Sequence, residues 1–174
     1  MMGVCGGRRY DVWMLVYSSV VLCAGFLAWM VYRYDMYEKE PWYMLLLAVG
    51  MGMGAALAVG FLEDAVIGFF NVSEHVGGQA AIAAVVEESA KLLIVVLIAV
   101  CMRRHFNDPL DGLIYGAFAG LGFAVYESWF YLGLSRPVVQ QSGAEAVRLV
   151  LHLLMGGMGG FGIGLARFPQ RNRA

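Results

Sequence analysis

Apolar residues run almost unbroken over residues 13–32, 42–62, 79–102, 111–133 and 146–166. Each run is long enough to cross about 30 Å of hydrocarbon as a helix. The pattern predicts an all-α chain, a polytopic transmembrane bundle of about five spanning helices in one integral membrane domain over residues 1–174. The first run follows Arg8 and Arg9 and has no small-residue cleavage site, so it reads as a retained helix rather than a signal peptide. Between the first two runs, residues 33–42 are short and charged, with Tyr34, Tyr37 and Trp42 suited to the headgroup level. Residues 64–78 mix Val66, Ile67, Phe69 and Phe70 with Asn71, Glu74 and His75, the pattern of a segment lying in the interface.

The third run is interrupted. Glu87, Glu88 and Lys91 stand near its middle, where a charge costs roughly 2.5 to 3.5 kcal/mol on insertion scales and a Leu or Ile returns only about 0.3 to 0.6. On a helix, Lys91 lies one turn from both glutamates and can pair with either. The other carboxylate must then find its partner on a neighbouring helix. Glycines recur at four-residue spacing in the last two runs, at Gly112, Gly116 and Gly120 and at Gly156, Gly160 and Gly164. That spacing lets helix backbones approach closely, which a site assembled from several helices requires.

Composition sharpens this picture. Of 174 residues, 60% are hydrophobic and 14% charged, outside the range of soluble domains. The net charge of -1 and the lack of any Lys/Arg block exclude a nucleic-acid partner. Cys5, Cys23 and Cys101 are scattered and form no disulfide or metal spacing. Arg33, Lys39, Arg103, Arg104, Arg167, Arg171 and Arg173 fall at one side of the membrane, and Arg8, Arg9, Arg136 and Arg148 at the other. The positive-inside rule then places the N-terminus outside and the C-terminus inside.

At a rise of about 1.5 Å per residue, Glu87, Glu127 and His152 all lie about 9 to 12 Å beneath the extracytoplasmic surface. Rare intramembrane polar residues from three helices at one depth imply a shared cavity. A carboxylate there can deprotonate water, a histidine can shuttle the proton or meet an oxyanion, and Lys91 can orient the base. The same chemistry admits Zn²⁺ on Glu88, Glu127 and His152 with a position open for water. A metal-independent mechanism is slightly preferred and no cofactor is certain. No His-Glu-x-x-His helix and no Gly-x-Ser-x-Gly elbow is present, so water is the expected nucleophile. Two other readings of the cavity are a non-catalytic member that grips a transmembrane partner and an ion or proton pathway.

The segments 35–42 (Asp-x-x-Glu-x-Glu-Pro-Trp), Glu87-Glu88-Ser89-Ala90-Lys91, 111–116 (Asp-Gly-Leu-Ile-Tyr-Gly), 121–127 ending Phe123-x-x-x-Glu127, and His152 followed by Met158-Gly159 resemble the PrsW family of intramembrane proteases. That family is similar to the CAAX prenyl endopeptidase and bacteriocin-processing group. The resemblance implies an intramembrane endopeptidase of a bacterial cell membrane that cleaves membrane-spanning proteins such as anti-sigma factors near the extracytoplasmic side. It implies Glu87 or Glu88 as the base, Lys91 as its orienting partner, and Glu127 and His152 as acid, ligand or transition-state donor. Family members usually continue for about two more helices. Their His-Gly-x-x-Asp element has no counterpart in residues 1–174.

Overall fold

The computed structural model describes residues 4–35, 39–70, 72, 75–133 and 138–168. Among the described residues are five long helices: α1 (Val4–Tyr34), α2 (Trp42–Phe70), α3 (Val76–Cys101), α4 (Pro109–Gly133) and α5 (Val138–Arg167), with a 3-10 turn at Arg103–His105 before α4. No strand occurs among the described residues. Four helices, α1, α2, α4 and α5, contain stretches long and apolar enough to cross a membrane. The hydropathy pattern predicts five such spans. The fifth, α3, has 26 residues and so ~39 Å of length, but one turn of it carries Glu87, Glu88 and Lys91.

The helices overrun the predicted spans. Where an interfacial segment is expected from residue 64, α2 continues to Phe70. The intervening sequence holds no proline, and a helix already formed propagates more cheaply than a new one starts. Likewise α5 begins at Val138 rather than 146, directly after Pro137 in the sequence. Asn71, Ser73 and Glu74 of the expected interfacial segment, Glu38, Arg136, Arg171 and Arg173 lie outside the described residues.

α4 is the axis of the bundle, with nearly every side chain from Asp111 to Ala124 buried. Its start explains the Asn-Asp-Pro-Leu-Asp-Gly stretch. Asp108 caps the helix by accepting from Leu110 N at 2.8 Å, Pro109 takes the first helical position, and Asp111 reaches back to accept from Asp108 N at 2.8 Å and Asn107 N at 2.7 Å. Along the α4–α5 seam, a Cβ on Gly112, Gly116 or Gly120 would strike the backbone of Gly160, Gly156 or His152. Against α2, a Cβ on Gly52 or Gly122 would strike Ala119 or Val49. The repeated glycines are therefore what draws α2 and α5 onto α4. Outward faces carry Leu15, Leu22, Phe61, Leu97 and Met158, as lipid contact requires, and Cys23 and Cys101 are free and exposed there.

At the end of the bundle where α2 and α4 start, Glu40 sits 6% exposed in the connection before α2 and accepts a hydrogen bond from the Tyr115 hydroxyl. Burial pushes the Glu40 carboxyl up to about 7 from its ordinary 4.5; the Tyr115 bond opposes this, and neighbouring Asp111 and Asp35 add to it. Folded protein therefore holds a proton on Glu40 that the unfolded chain has already lost above pH 4.5. The Glu40 contribution to stability is fully present below that value and is lost as pH rises through about 7. Thermal unfolding in detergent across this range is expected to show the fall, and Glu40→Gln to flatten it.

Candidate active site

Helical periodicity puts Glu87, Glu88 and Lys91 on adjoining faces of α3, and packing against α4 buries the lysine to 1% exposure. Its Nζ lies 2.7 Å from Glu88 Oε1 and 3.4 Å from Glu87 Oε2, and 4.5 Å from the centre of the Phe123 ring. A buried ammonium with two carboxylates and an aromatic face is well compensated. The Phe123 ring also stacks with the His152 imidazole of α5, with centroids 5.3 Å apart and planes at 20°.

One turn beyond Phe123, Glu127 meets α5. Its Oε2 is 3.0 Å from His152 Nε2, and its Oε1 is 3.4 Å from Arg148 Nε. Arg148 precedes His152 by one helical turn and also donates to both oxygens of buried Glu145 at 2.7 Å. The Glu127–His152 approach is close but not aligned as a hydrogen bond, so Glu127 Oε2 and, across the ring, His152 Nδ1 have no hydrogen-bond partner.

Glu87, Glu127 and His152 thus converge from α3, α4 and α5, each offering one donor atom, all within 4.8 Å of one another. Glu88 is not among them. It lies ~100° around α3 from Glu87 and is held by Lys91. The donor set that geometry assembles therefore has Glu87 where sequence reasoning about a metal places Glu88.

The cluster opens into a cavity of about 300 Å³ between α2 and α4, lined among others by Leu57, Phe61, Glu63, Glu87, Tyr126 and Glu127. Above the glycine contacts at Gly52 and Gly122 the two helices leave this space free, and nothing stands within 4 Å of where a Cβ on Gly60 would be. Sequence reasoning misses two neighbours of the site. Glu63 sits just past the expected end of the second span and has Oε1 buried without a hydrogen-bond partner. Arg148 reads as an interfacial cation, although its i,i+4 relation to His152 and i,i+3 relation to Glu145 signal a shared face. His75 is exposed at the start of α3 and caps nothing with its side chain.

Residues 40–174 match the family described as PrsW family intramembrane metalloprotease. The chain is similar to the Protease PrsW of Bacillus subtilis (strain 168), with 31% identity over 142 residues covering 79% of this chain and 62% of the relative. It is similar to the Protease PrsW of Clostridioides difficile (strain 630), with 34% identity over 114 residues, 63% of this chain and 47% of the relative. A third, from Geobacillus kaustophilus (strain HTA426), is 28% identical over 142 residues, 82% of this chain and 62% of the relative. The chain thus spans about half to three-fifths of the length of these relatives. No solved structure matches it.

Proposed function

The chain belongs to the PrsW family of intramembrane metalloproteases, and from that premise we propose that it is an endopeptidase hydrolysing a membrane-spanning protein with water activated at Glu87, Glu127 and His152. The observation that carries this reading is the convergence of those three side chains from three helices at the edge of an open cavity. The charge count supports an extracytoplasmic location for that end of the bundle, and the family resemblance suggests a membrane-spanning substrate of the anti-sigma-factor kind.

The donors suit a metal ion. Carboxylate oxygens and imidazole nitrogen are Zn²⁺ ligands, and three protein ligands with a fourth position open is the arrangement of catalytic zinc. The unpartnered Glu127 Oε2 supplies an unsatisfied lone pair such an ion would use. When bound, Zn²⁺ supplies Lewis acidity and makes water acidic enough to lose a proton near neutral pH.

The side chains divide the remaining work. Glu87 faces the cavity and, through the carboxylate oxygen not offered to an ion, takes the proton of the attacking water, with Lys91 at 3.4 Å orienting the group. Glu88 is a positioning residue, anchoring Lys91 from the other side at 2.7 Å. Glu87 then passes that proton to the leaving amine, and His152, flanked by Phe123 and Glu127, would hold the ion. Arg148 and Glu145 hold Glu127 in place.

Co-expression with a library of tagged single-span proteins tests the reading. A truncated product is expected that disappears with Glu127→Gln or His152→Ala, and that is lost on chelation and regained with Zn²⁺. Cleavage unaffected by chelation would remove the metal. Capture of a partner with no cleavage under any condition would replace hydrolysis by binding.

A further inference from the structure

A second cavity lies between α3 and α5, near the end of the bundle opposite the carboxylate cluster. It encloses about 390 Å³ and is walled by Val96, Ala99, Val100, Ile163 and Ala166, with Arg103 and Arg167 also lining it. Val96, Val100 and Ala166 are exposed on the outer surface of the bundle, so the cavity faces the lipid.

Both guanidinium groups are held in place by backbone and rings rather than by carboxylates. Arg167 donates to the Ala99 carbonyl and lies over the rings of Phe106 and Phe168, 5.2 and 5.5 Å from their centres. Arg103 donates from Nε to the Val100 carbonyl at 3.2 Å. Neither forms an ion pair among the described residues, where every carboxylate bridge involves Lys91, Arg148 or His152. An apolar trough closed at one end by two preoriented guanidiniums, unpaired with any carboxylate among the described residues, matches one ligand in shape and charge. The geometry points to an anionic phospholipid, its phosphate held by Arg103 and Arg167 and an acyl chain lying along Val96, Val100 and Ile163. This assignment is independent of the proposed protease activity.

Native mass spectrometry of the full chain with phosphatidylglycerol or phosphatidylcholine of identical acyl chains tests it. The wild-type protein retains phosphatidylglycerol preferentially, each guanidinium near the headgroup contributing about fivefold. Arg103→Gln is expected to lower that preference by about fivefold. Ala166→Trp, which fills the trough from an exposed position without changing charge, abolishes retention. Arg104→Gln, exposed beside the site but not lining it, changes neither. Equal losses from Arg103→Gln and Arg104→Gln would reduce the effect to diffuse surface charge. Full retention in Ala166→Trp, or displacement of the lipid by inorganic phosphate alone, would overturn the acyl-chain assignment in favour of a free-anion site.

Discussion

Glu87→Gln is expected to lower peptide-bond hydrolysis by about 10²- to 10⁴-fold, the range for losing a positioned general base. The substitution keeps volume and polarity but removes the proton acceptor from the cavity side of the cluster. Glu88→Gln, one residue away, is expected to cost about tenfold, because its carboxylate acts only through Lys91 at 2.7 Å. The two variants separate roles that adjacency in sequence cannot. Initial rates of product formation, with helical circular dichroism showing that both variants fold, make the comparison. Full activity in Glu87→Gln with none in Glu88→Gln would reverse the assignment of base and positioning residue. Metal content adds an independent check: Glu87→Gln is expected to weaken Zn²⁺ retention, while Glu88→Gln leaves it unchanged.

The second large effect comes from the α4–α5 seam. A Cβ at Gly116 would overlap the Gly156 carbonyl, a backbone atom that cannot rotate aside, so Gly116→Val must force the two helices apart. The expected loss is about 3 kcal/mol or more, at the upper end of overpacking effects. At Gly120 the obstructing atom belongs to His152 itself. Gly120→Ala is therefore expected to displace the imidazole from Glu127 and lower hydrolysis more than it lowers stability, since a misplacement of about 1 Å can cost 10²-fold. Gly54→Ala is the matched comparison. Nothing stands within 4 Å of its Cβ position, and removing a mid-helix glycine is expected to stabilise by about 0.5 to 1 kcal/mol. Unfolding titrations in mixed micelles report the stability differences. Equal stability of Gly116→Val and Gly54→Ala would show that the seam does not hold the bundle together.

Much of the membrane architecture is legible in the linear chain, because the cost of placing polar groups in hydrocarbon is large and local. Long apolar runs become helices, and any charge within one must be paired, so residues 87–91 stand out without coordinates. Helical periodicity puts Lys91 within reach of either glutamate and predicts one pair; Nζ is found 2.7 Å from Glu88 and also 3.4 Å from Glu87. Helix ends are less legible. Glu63 and Asp64 suggest that the second helix has left the membrane, yet a helix can carry polar residues onward when they face a cavity rather than lipid, and α2 runs to Phe70.

Residue spacing sets the depth of Glu87, Glu127 and His152 along their helices, but leaves open how each helix is turned about its own axis. Successive residues differ by ~100° in direction, so rotation decides whether Glu87 or Glu88 faces the cluster, whether Glu63 faces the cavity, and whether Arg148 reaches Glu127. Contacts between different helices settle that rotation. The glycine seams bring α2 and α5 against particular faces of α4, and Lys91 and Phe123 lock α3 beside them. The sequence therefore determined which runs form long apolar helices and which polar neighbours on one helix come within reach of each other. Only tertiary packing decided which of them share a site, because side-chain direction across helices depends on close contacts between residues far apart in the chain.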